Sequence, residues 1–215
     1  MSQAQVPAAL LSAVKRDLNP IRPLASPARR ALALLPIGLI LLMGMPAFWH
    51  WQAHVKLAPW TSWVWSTLEM ALSLIVLAAA FREAVPGREL SGRKLSALIL
   101  IAGAGLVLFN AGTQPPPPTS AHDWMHWVWE CIYMTISFSI PALVVPAWLV
   151  ARALPNRPAL TGALCGLGVG IMADAGLRLF CWDGGTHLVV AHGGAVVLLV
   201  TLGAICATLV ERIKA

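Results

Sequence analysis

LALLPIGLILLMGMPAFW, residues 32–49, carries no charged side chain across its whole length. A helix with one face in water needs polar residues on that face. A helix crossing the hydrocarbon of a bilayer instead needs about 20 consecutive, mainly apolar residues. The stretch therefore reads as a transmembrane helix, flanked by Arg29-Arg30 on one side and His50 on the other. It does not read as a secretory leader. A basic, proline-rich segment precedes it and no small-residue cleavage site follows, so the N-terminal tail is expected to stay on the mature protein.

Working outward, five further runs of the same character follow: Trp60–Phe81, Leu95–Gly112, Trp124–Val150, Ala159–Phe180 and Thr186–Val210. Of the 215 residues, 58% are hydrophobic and only 11% charged, where a soluble domain carries about 25% charged. The mean hydropathy is +0.74. Lipid offers backbone groups no partner, which leaves helices or closed barrels, and the alternating segments of a barrel are absent. The expected fold is all-α: a polytopic membrane protein, a bundle of six transmembrane helices spanning residues 31–211. A tail at residues 1–30 precedes it and a short end at 212–215 follows.

Basic residues sort by side. The tail holds Lys15, Arg16, Arg22, Arg29 and Arg30; the loop after the second span holds Arg82, Arg88, Arg93 and Lys94. Arg152 and Arg157 follow the fourth span, and Arg212 and Lys214 close the chain. Only Lys56 and Arg178 fall on the other side. Lys and Arg are retained on the cytoplasmic face, so both termini are expected in the cytoplasm. The formal net charge of +6 then records topology, and no direct contact with nucleic acid is expected.

This orientation gathers all six histidines on the outer side: His50, His54, His122, His126, His187 and His192. Nine of the ten tryptophans also fall there, which an interfacial aromatic belt explains; it does not explain the histidines. Cys131 and Cys181 lie on the same side, fifty residues apart and without a CxxC spacing. They read either as a plain disulfide or packed thiol pair, or as a sensing pair, since thiolates and imidazoles bind transition metals. His122, His126, Glu130 and Met134 recur every four residues on one drifting helix face, with Cys131 one position round. His187 and His192 are five apart, about 140° round an α-helix, so they need not share a centre. The candidate metal ligands are thus Cys131, Cys181, His122, His126, His187, His192 and Glu130. No cofactor is obligatory; a transition or heavy metal ion, transiently bound, is the candidate ligand.

Cys165 and Cys206 read as packed thiols within spans five and six. Gly162, Gly166 and Gly170 give the small-xxx-small spacing of a close helix contact. Asp174 can pair with Arg178 one turn on. Glu69 has no partner in its own helix, and reads as either a proton or ion path or a hydrogen-bonded carboxyl in the bundle.

The tail motif RDLNPIRPLASPARRALALLP, residues 16–36, resembles the opening signature of the NrsF-type anti-sigma factors. Length, six spans, Cys131 with Pro141 ten residues on, and the run Cys181, His187, His192, Gly193 extend the similarity over the chain. The resemblance implies a bacterial inner-membrane protein, not an enzyme, that holds an extracytoplasmic-function (ECF) sigma factor at the membrane as a negative regulator of transcription. It implies that Lys15, Arg16, Asp17, Leu18, Pro20, Arg22, Pro23 and Leu24 belong to the sigma-binding segment. It also implies that heavy metal or oxidant stress acts through Cys131 and Cys181 as the sensing pair. Two rivals stand beside it: a metal-ion or proton transporter through Glu69, Glu130 and the histidines, and a quinone-linked thiol oxidoreductase. The first lacks an evident internal repeat and the second lacks a CxxC dithiol.

Overall fold

Ser26 accepts a hydrogen bond from the Arg29 backbone N–H at 3.4 Å, and Pro27 takes the first helical turn. Both are favoured ways of starting a helix. In the computed structural model, which describes residue 12 and residues 24–53, 60–111, 121–153, 155–181 and 187–214, they open α1, Pro27–Leu32. A short turn leads to α2, Leu35–Ala53. Then come α3, Trp60–Glu83, α4, Gly92–Ala111, α5, Ala121–Ala151, and α6, Pro158–Leu177. A π-helical turn, Leu188–Gly193, runs directly into α7, Gly194–Lys214.

Among the described residues there is no strand. Five stretches are long and apolar enough to cross a membrane: Pro27–Phe48, Trp60–Glu83, Met125–Ala151, Pro158–Leu177 and Val189–Ile213. They match five of the six expected spans. The remaining one, expected at Leu95–Gly112, is helical as α4, with Gly112 outside the described residues. α4 lies at the edge of the bundle, against α3 and the π turn.

α6 is the axis. It is 83% buried, against 22–44% for the other four stretches, and it packs on α2, α3, α5 and α7. Its glycines allow this. A Cβ added at Gly162 would strike the Gly203 carbonyl of α7, and one at Gly166 the Leu199 carbonyl. Backbone therefore meets backbone along the expected four-residue stripe. Cys165 is buried in that seam. Cys206, expected to be packed likewise, is exposed on α7, because the seam of α7 runs through Leu199 and Gly203.

One end of the bundle carries the basic loops. Gly87 takes φ 78°, left-handed backbone that glycine adopts without a Cβ clash, and so turns the chain between α3 and α4. Arg82 Nε donates to the Arg88 carbonyl at 3.0 Å, and Glu83 accepts from the Leu90 N–H. Asn156 donates to Glu89 at 2.9 Å, tying this loop to the one after α5. Arg30, counted with the tail in the sequence, is buried in α1. It donates to the Leu149 carbonyl at 2.5 Å and the Phe81 carbonyl at 3.5 Å, with its guanidinium 4.6 Å above the Phe81 ring. The tail thus leaves the bundle from an anchored arginine that touches both α3 and α5.

Candidate functional site

At the other end of the bundle, the fifty residues between Cys131 and Cys181 close into a contact. Cys131 lies in the first third of α5, whose Pro141 and Pro146 sit within one continuous helix. Cys181 follows α6, its N–H bonded to the Leu177 carbonyl at 2.9 Å in a final helical turn. Their sulfurs are 3.5 Å apart, both side chains are buried, and the thiols are free. The neighbouring Cys131 sulfur and burial push the Cys181 thiol up to about 12, so it is protonated at neutral pH.

Two imidazoles complete the group. Cys181 Sγ lies 3.4 Å from His187 Nε2. The His187 and His192 rings meet edge to face with centroids 5.9 Å apart. One ligand atom each from Cys131, Cys181, His187 and His192 lies within 4.8 Å of every other, and all four residues are buried. At α-helical spacing the two histidines need not share a centre. The π turn brings them toward one side: its wider i→i+5 winding sets residues five apart closer to one face than an α-helix would. His187 caps this turn and His192 lies in its last part.

Behind His192 stands a chain of buried charges. His192 Nδ1 is 2.5 Å from Asp174 Oδ1. Asp174 Oδ2 accepts from Arg178 at 3.2 Å, the pair anticipated from their spacing on α6. The same Arg178 nitrogen lies 3.0 Å from Glu69 Oε2 on α3. Glu69, partnerless within its own helix, thus has an ion-pair partner on another. The sequence did not place His192 against Asp174, eighteen residues away. The usable signal was that acids at membrane depth face the bundle interior and find partners there.

Other sequence candidates stand apart from the four-residue group. His126 pairs with Glu130 at 3.8 Å, with 70% of the His126 side chain exposed. Cys131, one residue on, is turned about 100° round the helix and faces inward. His122 is in the first turn of α5, its side chain outside the described residues. Of the expected partner-binding segment, Lys15, Arg16, Asp17, Leu18, Pro20, Arg22 and Pro23 lie outside the described residues. Leu24, half exposed, lies two residues before the Ser26 cap of α1.

The family model described as NrsF, negative regulator of sigma F, matches residues 15–212. No curated protein and no solved structure matches the chain.

Proposed function

The chain belongs to the NrsF family, the negative regulators of sigma F, and from that premise we propose that it is a membrane anti-sigma factor. It sequesters an ECF sigma factor through its N-terminal cytoplasmic tail, residues Lys15 to Leu24. It releases that factor when heavy metal or oxidant acts on Cys131 and Cys181 at the outer face of the bacterial inner membrane. The family is one of regulators and suggests a non-enzymatic role. Its name implies a sigma-factor partner; the ECF type, the compartment and the thiol trigger belong to this proposal.

The observation that carries the reading is a separation along the bundle. The Cys131–Cys181 pair, 3.5 Å apart, joins α5 to the turn after α6 at one end. Arg30, the root of the tail, grips the Leu149 carbonyl of the same α5 at the other. With both termini inside, as the basic residues argue, the thiols face an oxidising space and the tail faces the cytosol. A ligand that bridges the sulfurs favours one packing of the bundle over another. A hundredfold change in tail affinity requires about 2.7 kcal/mol of coupling. Glu69, one of the acids on which the transporter reading rests, lies against Arg178 in the core.

A sigma-dependent reporter tests the reading. Replacing Cys131 and Cys181 together with serine is expected to keep sigma sequestered and abolish induction. Deleting residues 1–24, which spares the Ser26 cap and the Arg30 anchor, is expected to free sigma constitutively. A double-serine variant that still responds to metal and oxidant would refute the thiol trigger.

A further inference from the structure

The two sulfurs are too far apart for a disulfide and close to the spacing that a shared metal ion would give. A disulfide requires about 2.05 Å between sulfurs. Two bonds of about 2.3 Å to a tetrahedral zinc ion put the sulfurs about 3.8 Å apart, and here they are 3.5 Å apart. The Cys181–His187 separation of 3.4 Å also suits an edge of such a tetrahedron. All four donors are buried, at 7% and 8% exposure for the cysteines and 1% and 0% for the histidines.

His192 supplies the second, independent observation. Its Nε2 is buried and has no hydrogen-bond partner among the described residues, an arrangement that is costly unless something occupies it. Its Nδ1 is committed to Asp174. A carboxylate on one imidazole nitrogen fixes the tautomer and leaves the other nitrogen's lone pair for a metal. The donors come from three elements: α5, the turn after α6, and the π turn. Binding would release the two thiol protons, so a divalent ion held by two thiolates and two neutral imidazoles adds no net charge to the buried site; the sulfur and imidazole donors favour Zn2+ or Cd2+ over hard cations that require oxygen ligands.

We propose that Cys131, Cys181, His187 and His192 form a closed, four-ligand site for a borderline or soft divalent cation, with Asp174 as the residue that positions His192. This deepens the proposed function and rests on it for its biological meaning: it makes the inducing signal the ion itself and extends the sensing pair to two histidines. The four donor atoms lie within 4.8 Å of one another, and a bound ion would fasten α5, the turn after α6 and the π turn to one point.

The test uses the full-length, reduced protein in lipid nanodiscs, titrated with Cd2+ and with Zn2+ against a competing chelator. X-ray absorption at the metal edge reads the ligand shell. The expected result is one ion per chain with two sulfur and two imidazole neighbours. His187→Ala and His192→Ala are each expected to weaken binding at least tenfold and to remove one imidazole from the shell. Asp174→Asn is expected to weaken it about 10–100-fold while keeping the same four ligands, a pattern that general unfolding would not give. A shell of two sulfurs and only oxygen, or unchanged affinity in both histidine variants, would overturn the proposal. The spectrum of the unmutated protein decides even where a variant fails to fold. Sigma release is read separately. Four-ligand binding without release overturns the proposed function and leaves the site standing; metal-dependent release with a shell lacking imidazole does the reverse.

Discussion

Arg178 is the most consequential charge in the core, and replacing it by methionine is the most direct test of the buried network. Its guanidinium lies 3.0 Å from Glu69 and 3.2 Å from Asp174, and all three side chains are at most 1% exposed. Screening by solvent is therefore slight. At an effective dielectric of about 20, a fully charged contact at this distance is worth about 5 kcal/mol of Coulomb attraction, most of it offset by desolvation of the buried groups. Methionine keeps an unbranched apolar stem in place of the arginine's and removes the cation, leaving two carboxyl groups facing each other. Breaking a buried ion pair in this way costs about 3–5 kcal/mol. Unfolding of the purified chain in mixed micelles, followed by tryptophan fluorescence as denaturing detergent is titrated, reads the loss. Adding Glu69→Gln to the methionine variant removes one of the stranded acids and is expected to restore about 1–3 kcal/mol, the range of coupling between residues in one network. A methionine variant within 1 kcal/mol of the parent would show that Arg178 does not hold the acids together. The argument that Asp174 is fixed in place behind His192 would then fail with it.

Gly166→Leu must push α7 away from α6, since even a Cβ there meets the Leu199 carbonyl; the same unfolding assay should show a loss of about 1–3 kcal/mol or more. Gly193→Ala, with nothing within 4 Å of the added carbon, serves as its near-neutral control. Arg30→Ala strands the Leu149 and Phe81 carbonyls and should destabilise by about 1–3 kcal/mol; in the reporter assay it should also raise uninduced sigma activity, and unchanged basal activity would remove Arg30 from the transmission route. His126→Ala removes only an exposed partner of Glu130, so stability should change by less than about 0.5 kcal/mol and metal affinity not at all; a tenfold loss of metal affinity would return His126 to the ligand set.

The helical runs were legible because lipid imposes a composition that no other environment tolerates, and residues 32–49 state it without interruption. The Gly162, Gly166 stripe and the Asp174–Arg178 pair were legible because each lies within one helix, where spacing alone fixes the geometry. The cysteine pair was legible as a shared side, not as a distance, since nothing local relates residues 131 and 181. What escaped had two physical causes. The Glu69–Arg178 and Asp174–His192 contacts cross between elements, so no periodicity encodes them. His187 and His192 were read at 3.6 residues per turn, whereas their segment winds as a π turn. The four-residue spacing of His126 and Glu130 was legible as a contact within one helix, with the His126 side chain exposed and Cys131 next to it turned inward.

The path between the two ends is short enough to estimate. α5 contributes the Cys131 sulfur at one end and the Leu149 carbonyl that holds Arg30 at the other. At 1.5 Å of rise per residue, Cys131 lies about 15 Å before Pro141 and Leu149 about 12 Å after it. A proline inside a helix removes one ladder hydrogen bond and is the usual place for a bend. If α5 pivots as one body about Pro141, a shift of about 1 Å at the sulfur moves the Leu149 carbonyl by about 0.8 Å, by the ratio of those two arms. A displacement of that size along the Arg30–Leu149 contact is enough to break a hydrogen bond, whose usual range spans only about 2.7–3.2 Å. A hydrogen bond to a charged group contributes about 1.5–3 kcal/mol, which matches the 2.7 kcal/mol that a hundredfold change in tail affinity requires. A bend at Pro146, closer to Leu149, would move the carbonyl far less for the same shift at the sulfur. A rigid pivot of α5 near Pro141, rather than near Pro146, would therefore be energetically sufficient for the proposed signalling route.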